Sequence, residues 1–187
     1  MGMLIDFHKP VVAAALLVIG LSLPTGAAAK PAAELLAELQ SASEATEANR
    51  VARELQLEWS RSGSAAMDML LKRGRDALEA REYREAAEHF TALTDHAPGF
   101  AEGWHGRAMA FFHLELYGPA VADLERTLAL NPDHFEAIKG LAVILERLNR
   151  LSDAYAAYEQ VLALHPHHEG AMEAVKRLRT SVKGQEL

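Results

Sequence analysis

The sequence predicts an all-α fold in which pairs of helices repeat along the chain. Three observations lead to this prediction: a composition rich in alanine and leucine, a fixed period of repetition, and a proline at the end of each period. Half of the 187 residues are apolar but only 6% are aromatic, and alanine and leucine lose little side-chain freedom in a helix. The composition therefore favours helices, and the period indicates how they are grouped.

The 34-residue period is carried by small residues and prolines that recur in register. It divides the chain into three windows, 67–100, 101–134 and 135–168. The recurring positions are Gly74, Ala108 and Ala142; Ala86, Ala120 and Ala154; and Pro98, Pro132 and Pro166. Proline cannot continue a helix and therefore closes each unit. The recurring small residues mark places where a larger side chain would clash with a neighbouring helix.

Each window shows the apolar periodicity of two helices separated by a polar break. In the middle window, Trp104 and Ala108 recur at the helical spacing before the break, and Val121 and Leu124 do so after it. The break itself contains Glu115. Each window is therefore expected to form a helical hairpin.

The middle window resembles a tetratricopeptide repeat (TPR), a 34-residue unit with tryptophan, a small residue, tyrosine, alanine, an aromatic residue and a closing proline in that order. The corresponding positions are Trp104, Ala108, Tyr117, Ala120, Leu124 and Pro132, with leucine at the aromatic position, and Phe111 lies between Ala108 and Tyr117. The resemblance covers the three windows, or 102 of 187 residues. It implies a right-handed α-α solenoid of three TPR units, whose concave face binds peptides or partner proteins.

Helical patterns also flank the three windows. Residues 30–63 predict an N-terminal helical hairpin with helices at Pro31–Gln40 and Glu44–Ser60, and Ala52 lies one period before Ala86. This hairpin is therefore either a degenerate fourth repeat or a separate element. Residues 169–187 predict a capping helix and tail, since solenoids need an end with a polar outer face. The expected apolar face of this helix consists of Met172, Val175 and Leu178.

Residues 1–29 have the features of a secretory signal peptide. A 13-residue apolar run, Val11–Leu23, follows Lys9 and precedes Ala27–Ala29, the small residues typical of a signal-peptidase site. The run is shorter than the roughly 20 residues that span a bilayer, so the mature chain is expected to begin at Lys30 without an integral membrane span. Retention as a membrane anchor is the alternative. An exported chain without cysteine favours a bacterial periplasm.

Charge and motif content argue against nucleic-acid binding and against catalysis. The net charge is -7 with acids and bases interspersed, so the chain lacks the basic face that binds phosphates. The sequence contains no Gly-x-Ser-x-Gly, His-Glu-x-x-His or phosphate-binding glycine loop. We therefore predict no enzymatic activity, no cofactor, and a protein or peptide partner.

The resemblance also implies which residues line the concave face. Many family members hold a peptide's C-terminal carboxylate with lysines, asparagines and arginines on this face. Most of those residues are missing from this sequence, and only Lys139 fits the pattern. The predicted groove is apolar at its centre and is expected to bind an amphipathic helix or an apolar segment. The predicted groove residues are Leu71, Arg75, Leu78, His105, Met109, Phe112, His113, Lys139, Val143 and Glu146. Alternatively, the N-terminal hairpin folds over the groove and fills it.

Metal binding and self-association are two alternatives to the binding of a partner protein. His105, Met109 and His113 follow one another at the spacing of a helical turn and share one helical face, and imidazole and thioether ligands suit copper. The histidines in the segment 165–168 form a second candidate cluster. Self-association through the apolar groove would make the chain a homo-oligomer.

One pair of charged residues is predicted to stabilise the middle repeat. Arg107 stands in the first helix where the family usually has leucine, and Asp123 stands in the second helix. In the third window, the corresponding residues are Leu141 and Ala157. Because the two positions change together, we hypothesise that Arg107 and Asp123 form an ion pair between the two helices. The alternative is that they are two unrelated surface residues.

Overall fold

The computed structural model of the protein describes residues 30–183. The predicted signal peptide at residues 1–29 lies outside this range. The described part contains nine helices and no strands. The helices are α1 Ala32–Ser41, α2 Ala45–Trp59, α3 Ala65–Glu79, α4 Tyr83–His96, α5 Ala101–His113, α6 Tyr117–Leu130, α7 Phe135–Arg147, α8 Leu151–Leu164 and α9 Glu169–Lys183. None of them is both long and apolar enough to cross a membrane.

Helices α3 to α9 form a stack in which each helix contacts the next one along the chain. The first helices of the three windows also contact each other in order, α3 with α5 and α5 with α7. They therefore lie side by side on one face, as in an α-helical repeat. The predicted all-α repeat fold is confirmed.

The recurring small residues lie where the helices approach most closely. Ala86, Ala120 and Ala154 are completely buried. The ring of Phe90 fills the space between Gly74 and Gly106, so that a Cβ atom at either glycine would overlap the ring. The spacing between the first two repeats therefore depends on the absence of side chains at these two positions.

The turn between the two helices of each repeat contains a residue with left-handed backbone geometry. These residues are Arg81, Glu115 and Asn149, with φ angles of 62°, 61° and 58°. They are spaced by the repeat period, so the same turn recurs in every repeat. The polar break predicted at Glu115 is this turn, and its left-handed residue costs about 1–2 kcal/mol relative to ordinary geometry.

The predicted ion pair in the middle repeat is confirmed. Arg107 Nε and Nη2 donate to the two carboxylate oxygens of Asp123 at 2.7 and 2.8 Å. Arg107 also donates to Thr94 Oγ1 at 3.0 Å, and its guanidinium lies 4.7 Å from the centre of the Trp104 ring. This bidentate geometry is the strong form of an arginine–carboxylate pair, and it joins α5 both to α6 and to the preceding repeat.

The N-terminal hairpin folds back onto the third repeat instead of extending the stack. Its buried leucines share one apolar core with residues of α7, α8 and α9, and α1 contacts α8. Trp59 stacks on His134 with ring centres 5.0 Å apart. His167 Nε2 donates to the carbonyl oxygen of Ala42 at 2.9 Å. The hairpin is therefore a separate element and does not occupy the place of a fourth repeat.

A polar surface on the outer face of α3 explains why the hairpin does not stack there. In α5, Gly106 and Ala110 pack against the preceding repeat. The corresponding residues of α3 are Lys72 and Asp76, which are exposed and form an ion pair. Stacking the hairpin on α3 would bury this pair at a cost in solvation.

Helix α9 closes the other end of the stack, but its buried face differs from the predicted one by one residue. Val175 and Leu178 are buried as expected, whereas Met172 is 46% exposed. Ala171 and Ala174 take its place in the core. The buried face follows the spacing 171, 174, 175 and 178, which is also a helical stripe.

The close packing around Phe90 predicts that Gly106→Ala destabilises the protein. The added Cβ would overlap the Phe90 ring, and overpacking of this kind costs about 1–3 kcal/mol. The matched control is Gly118→Ala, because nothing lies within 4 Å of a Cβ at that helical position. The control should be neutral or slightly stabilising, since alanine favours helices over glycine. Equal free energies of unfolding for the two variants in urea would contradict this packing.

Candidate functional site

A cavity lies between α2 and the first helices of the repeats. Its volume is about 490 Å³. One wall comes from the hairpin and contains Arg53, Gln56, Leu57 and Ser60. The remaining lining residues are Arg75, Leu78, Phe90, Glu102, His105, Gly106, Met109, His134 and Glu136. We call this space the hairpin cavity.

A smaller cleft of about 140 Å³ lies between α5 and α7. Its apolar lining includes Met109, Phe112 and Val143, and Lys139 is its basic residue. Because His105 and Met109 line both spaces, the cleft and the hairpin cavity are adjacent. Together they form one groove along the first helices of the repeats.

Seven of the ten predicted groove residues line this groove. They are Arg75, Leu78, His105, Met109, Phe112, Lys139 and Val143. Their role in binding a partner stays a prediction.

Three predicted groove residues lie elsewhere. Leu71 is 3% exposed and belongs to the core between the first two repeats. His113 stacks on Tyr83, with ring centres 4.4 Å apart and an interplanar angle of 8°. Glu146 accepts hydrogen bonds from Tyr158 and Arg177 and so connects α7 to α8 and α9. These three side chains make other contacts and do not line the two spaces, and their role in binding a partner stays a prediction.

A buried polar network forms the floor of the hairpin cavity. Glu102 is 5% exposed, and its carboxylate accepts from Arg75 Nη2 at 2.6 Å and pairs with His134 Nε2 at 2.9 Å. On the other side of the ring, His134 Nδ1 accepts from the backbone N–H of Ala137 at 3.2 Å. Because Nδ1 is an acceptor, the neutral ring carries its proton on Nε2 and donates to Glu102. His134 therefore caps α7 and ties it to α5.

The same arrangement recurs one repeat later. Glu136 Oε1 lies 3.4 Å from His168 Nε2, and His168 Nδ1 accepts from the backbone N–H of Ala171 at 3.2 Å. Glu136 also pairs with Lys139. The two glutamates and the two histidines are each one period apart, so this Glu–His pair is part of the repeat. The first window has Asp68 and Phe100 at these positions and cannot form it.

Two groups in the network have shifted pKa values. Burial raises the pKa of Glu102, but the hydrogen bond from His134 and the surrounding positive charge outweigh burial and lower the pKa to about 2. Burial, together with the neighbouring His134, lowers the pKa of His105 to about 4. At neutral pH the groove floor therefore contains a charged Glu102 and a neutral His105.

A metal site based on His105, Met109 and His113 is not supported, because His113 faces Tyr83 while His105 faces His134 at 4.5 Å between ring centres. The potential ligand atoms that do converge belong to Glu102, His105 and His134, within 4.8 Å of one another. The proton on His134 Nε2 occupies the lone pair that a metal would need. The recurrence of the Glu–His contact in the next repeat marks it as structural.

The histidines at the end of the third repeat also have structural contacts. His167 donates to Ala42 in the turn of the hairpin, and His168 caps α9. His165 is 4% exposed and packs against the Phe135 ring at 5.4 Å. Within residues 30–183, neither ring nitrogen of His165 has a protein hydrogen-bond partner. The segment therefore secures the hairpin and α9, and its side chains do not converge on one point.

The hairpin's contribution to the groove was not predicted. Arg53, Gln56 and Leu57 form a wall of the cavity, whereas the sequence-based alternative was that the hairpin covers the groove and fills it. The Glu–His pairs could have been found from the sequence, because both residue types recur with the 34-residue period. The contact of Trp59 with His134 had no such periodic signal.

Comparisons with known proteins place these features in a family. The tetratricopeptide repeat family model matches residues 71–121 and 117–169, which is more than half of the chain. A TPR repeat-containing protein of Rhizobium etli is 31% identical over 112 residues, covering 60% of this chain. The chain spans only 55% of that relative's length.

Solved structures show the same architecture. The first TPR domain of Spaghetti (RPAP3), solved with the HSP90 peptide SRMEEVD, is 25% identical with a TM-score of 0.60. The alignment covers 63% of this chain and 93% of that domain. MamA aligns over 79% of this chain and 78% of its own at a TM-score of 0.56, and at 18% identity it is similar in fold alone.

The stacked helix pairs and the groove along their first helices define a protein of the α-helical repeat class. Within that class, the period, the matched residues 71–169 and the solved relatives identify the family. The chain belongs to the tetratricopeptide repeat family, whose domains mediate protein–protein interactions.

The low pKa of Glu102 predicts acid-sensitive stability. Because the folded pKa of about 2 lies below the ordinary value of 4.5, the carboxylate stabilises the fold fully above pH 4.5. This contribution, about 3 kcal/mol, is lost as the pH falls from 4.5 towards 2. Glu102→Gln should therefore lower the free energy of unfolding at pH 6 and flatten its decrease in acid, as measured by urea titration. The control is Glu125→Gln on the exposed side of α6, and an unchanged pH profile in Glu102→Gln would contradict the network.

Proposed function

We propose that this protein is an exported interaction module, periplasmic in a bacterium, that holds a segment of a partner polypeptide in its groove without catalysing a reaction. The observation that carries the proposal is the continuity of the hairpin cavity with the cleft between α5 and α7. Together they provide a channel with apolar side chains above a polar floor, and no part of residues 30–183 fills it. The apolar signal-like segment Val11–Leu23 supports export.

The lining suits a polypeptide better than a compact polar ligand. Leu78, Met109, Phe112 and Val143 are half-buried along the groove, and Leu57 on the opposite wall is 65% exposed. An amphipathic segment would bury this apolar surface at about 25 cal/mol per Å². The TPR domain of Spaghetti (RPAP3) supports the proposal because it was solved with a peptide.

The groove proposal predicts that Met109→Glu abolishes partner capture. Met109 lines both spaces, so a carboxylate there would be placed against the apolar side chains of any bound segment. The full chain would be produced in an exporting bacterium, immobilised, and incubated with the membrane and periplasmic fraction, and bound proteins would be quantified by mass spectrometry. Phe112→Glu should act in the same way with a smaller loss, because it lines the cleft alone.

The matched control is Leu148→Glu, since Leu148 is 52% exposed and lines neither space. A partner that is bound by the native chain and by Leu148→Glu but lost in Met109→Glu supports the proposal. A partner retained by Met109→Glu, at an unchanged melting temperature, contradicts it. If the captured partner is a second copy of this protein, the protein is a self-associating scaffold. The exported protein should begin at Lys30, and an exported protein that still carries Met1 would contradict a cleaved signal peptide and favour retention as a membrane anchor.

A further inference from the structure

The acidic side chains of the groove are neutralised within the protein. Glu102 contacts Arg75 and His134, and Glu136 contacts Lys139 and His168. Each carboxylate therefore already has two basic neighbours. A cationic ligand would have to displace one of these neighbours and would gain little.

The basic side chains of the hairpin cavity have spare hydrogen-bond donors. Among residues 30–183, Arg53 forms no ion pair and no side-chain hydrogen bond, although it lines the cavity from α2. Arg75 uses Nη2 for its bonds to Ser60 and Glu102, so its Nε and Nη1 groups remain available within the same described range. Guanidinium groups with free N–H donors bind carboxylates in a defined geometry.

The two arginines border an apolar surface. Arg53 and Leu57 are four residues apart on α2, and Arg75 and Leu78 are three residues apart on α3, so each pair shares one helical face. All four line the hairpin cavity together with Met109. Each wall therefore offers one cation beside one leucine, a pattern that complements a helix or strand with acidic and apolar side chains.

We propose that the occupant of the hairpin cavity is an acidic amphipathic segment of a partner protein. Its carboxylates bind Arg53 and Arg75, and its apolar side chains pack against Leu57, Leu78 and Met109. This inference rests on the proposed function and specifies the partner's chemistry. The two spaces are lined by three basic side chains, Arg53, Arg75 and Lys139, against the two carboxylates of Glu102 and Glu136. The whole chain has a net charge of -7, so any attraction for carboxylates is local to this site.

The hairpin makes this site different from one formed by the repeats alone. Arg53 and Leu57 belong to α2, which is held in place by the Trp59 stack on His134 and by the bond from Arg75 to Ser60. The predicted absence of a lysine–asparagine carboxylate clamp therefore does not leave the groove without a site for carboxylates. The arginine on the hairpin takes that role.

The test uses two fluorescein-labelled synthetic peptides of equal length, each long enough for several helical turns, with identical leucine and alanine positions. One peptide carries glutamate at every polar position and the other carries lysine. Fluorescence anisotropy with the full mature chain at low salt is expected to give a Kd in the micromolar range for the glutamate peptide, as is common for weak peptide sites. The lysine peptide should bind at least tenfold more weakly. Added salt should weaken glutamate-peptide binding.

The variant Arg53→Gln should weaken binding of the glutamate peptide by roughly fivefold, the upper range for one exposed charge contact. The control Arg84→Gln changes an exposed arginine of α4 outside the cavity and should leave the Kd unchanged. Both variants should keep the native melting temperature, because Arg53 has no ion pair to lose in the described residues.

The outcomes separate this inference from the proposed function. If both peptides bind equally and Met109→Glu abolishes the binding of both, the groove is supported as the binding site and the preference for an acidic segment is overturned. If Arg53→Gln and Arg84→Gln bind the glutamate peptide equally well, the role of the hairpin arginine is overturned. If neither peptide binds, the inference fails, and the capture experiment with Met109→Glu decides the proposed function independently.

Discussion

The apolar face of the N-terminal hairpin is the constraint on which the shape of the groove depends. Leu35, Leu39, Val51 and Leu55 are almost completely buried, and these residues must pack against some part of the repeats. The exposed surface of α3 is polar at Lys72 and Asp76, so stacking at the start of the solenoid is unfavourable. The apolar surface of α7 to α9 accepts the hairpin instead. Packing of the hairpin against these helices places α2 across the groove and creates the hairpin cavity.

The Glu–His pairs give the groove a rigid and charged floor. The first pair joins α5 to α7, the second joins α7 to the closing helix α9, and each histidine also caps the later helix. Because both rings use Nδ1 as an acceptor from the backbone, their orientation is fixed. Trp59 then stacks on one of these oriented rings, His134. The same residue therefore links two repeats and positions the hairpin.

The repeat architecture could be predicted because its key residues recur periodically in the sequence. The alanine series at 86, 120 and 154 is completely buried, and the pairing of Arg107 with Asp123 was evident from two positions that change together. These interactions lie within a repeat or between neighbouring repeats, where sequence spacing determines spatial proximity.

The composition of the groove was harder to predict because part of it comes from a contact between distant segments. Seven predicted residues line the groove, but Arg53 and Leu57 reach it only because the hairpin folds back and brings Ala42 against His167. His113 and Glu146 do not line either space, because His113 stacks on Tyr83 and Glu146 accepts a hydrogen bond from Tyr158. The family spacing predicts which face of a helix a residue occupies, whereas the contacts of each side chain determine where that side chain points.

The position of the hairpin can be measured directly because the chain contains no cysteine. The double variant Ser43→Cys and Glu169→Cys places thiols beside the contact between Ala42 and His167. The double variant Ser43→Cys and Ala80→Cys would bring thiols together if the hairpin stacked as a repeat before α3. A short bis-maleimide should cross-link the first pair within one chain and leave the second pair unlinked. Cross-linking of the second pair, or linkage of the first pair only between two chains, would contradict the account.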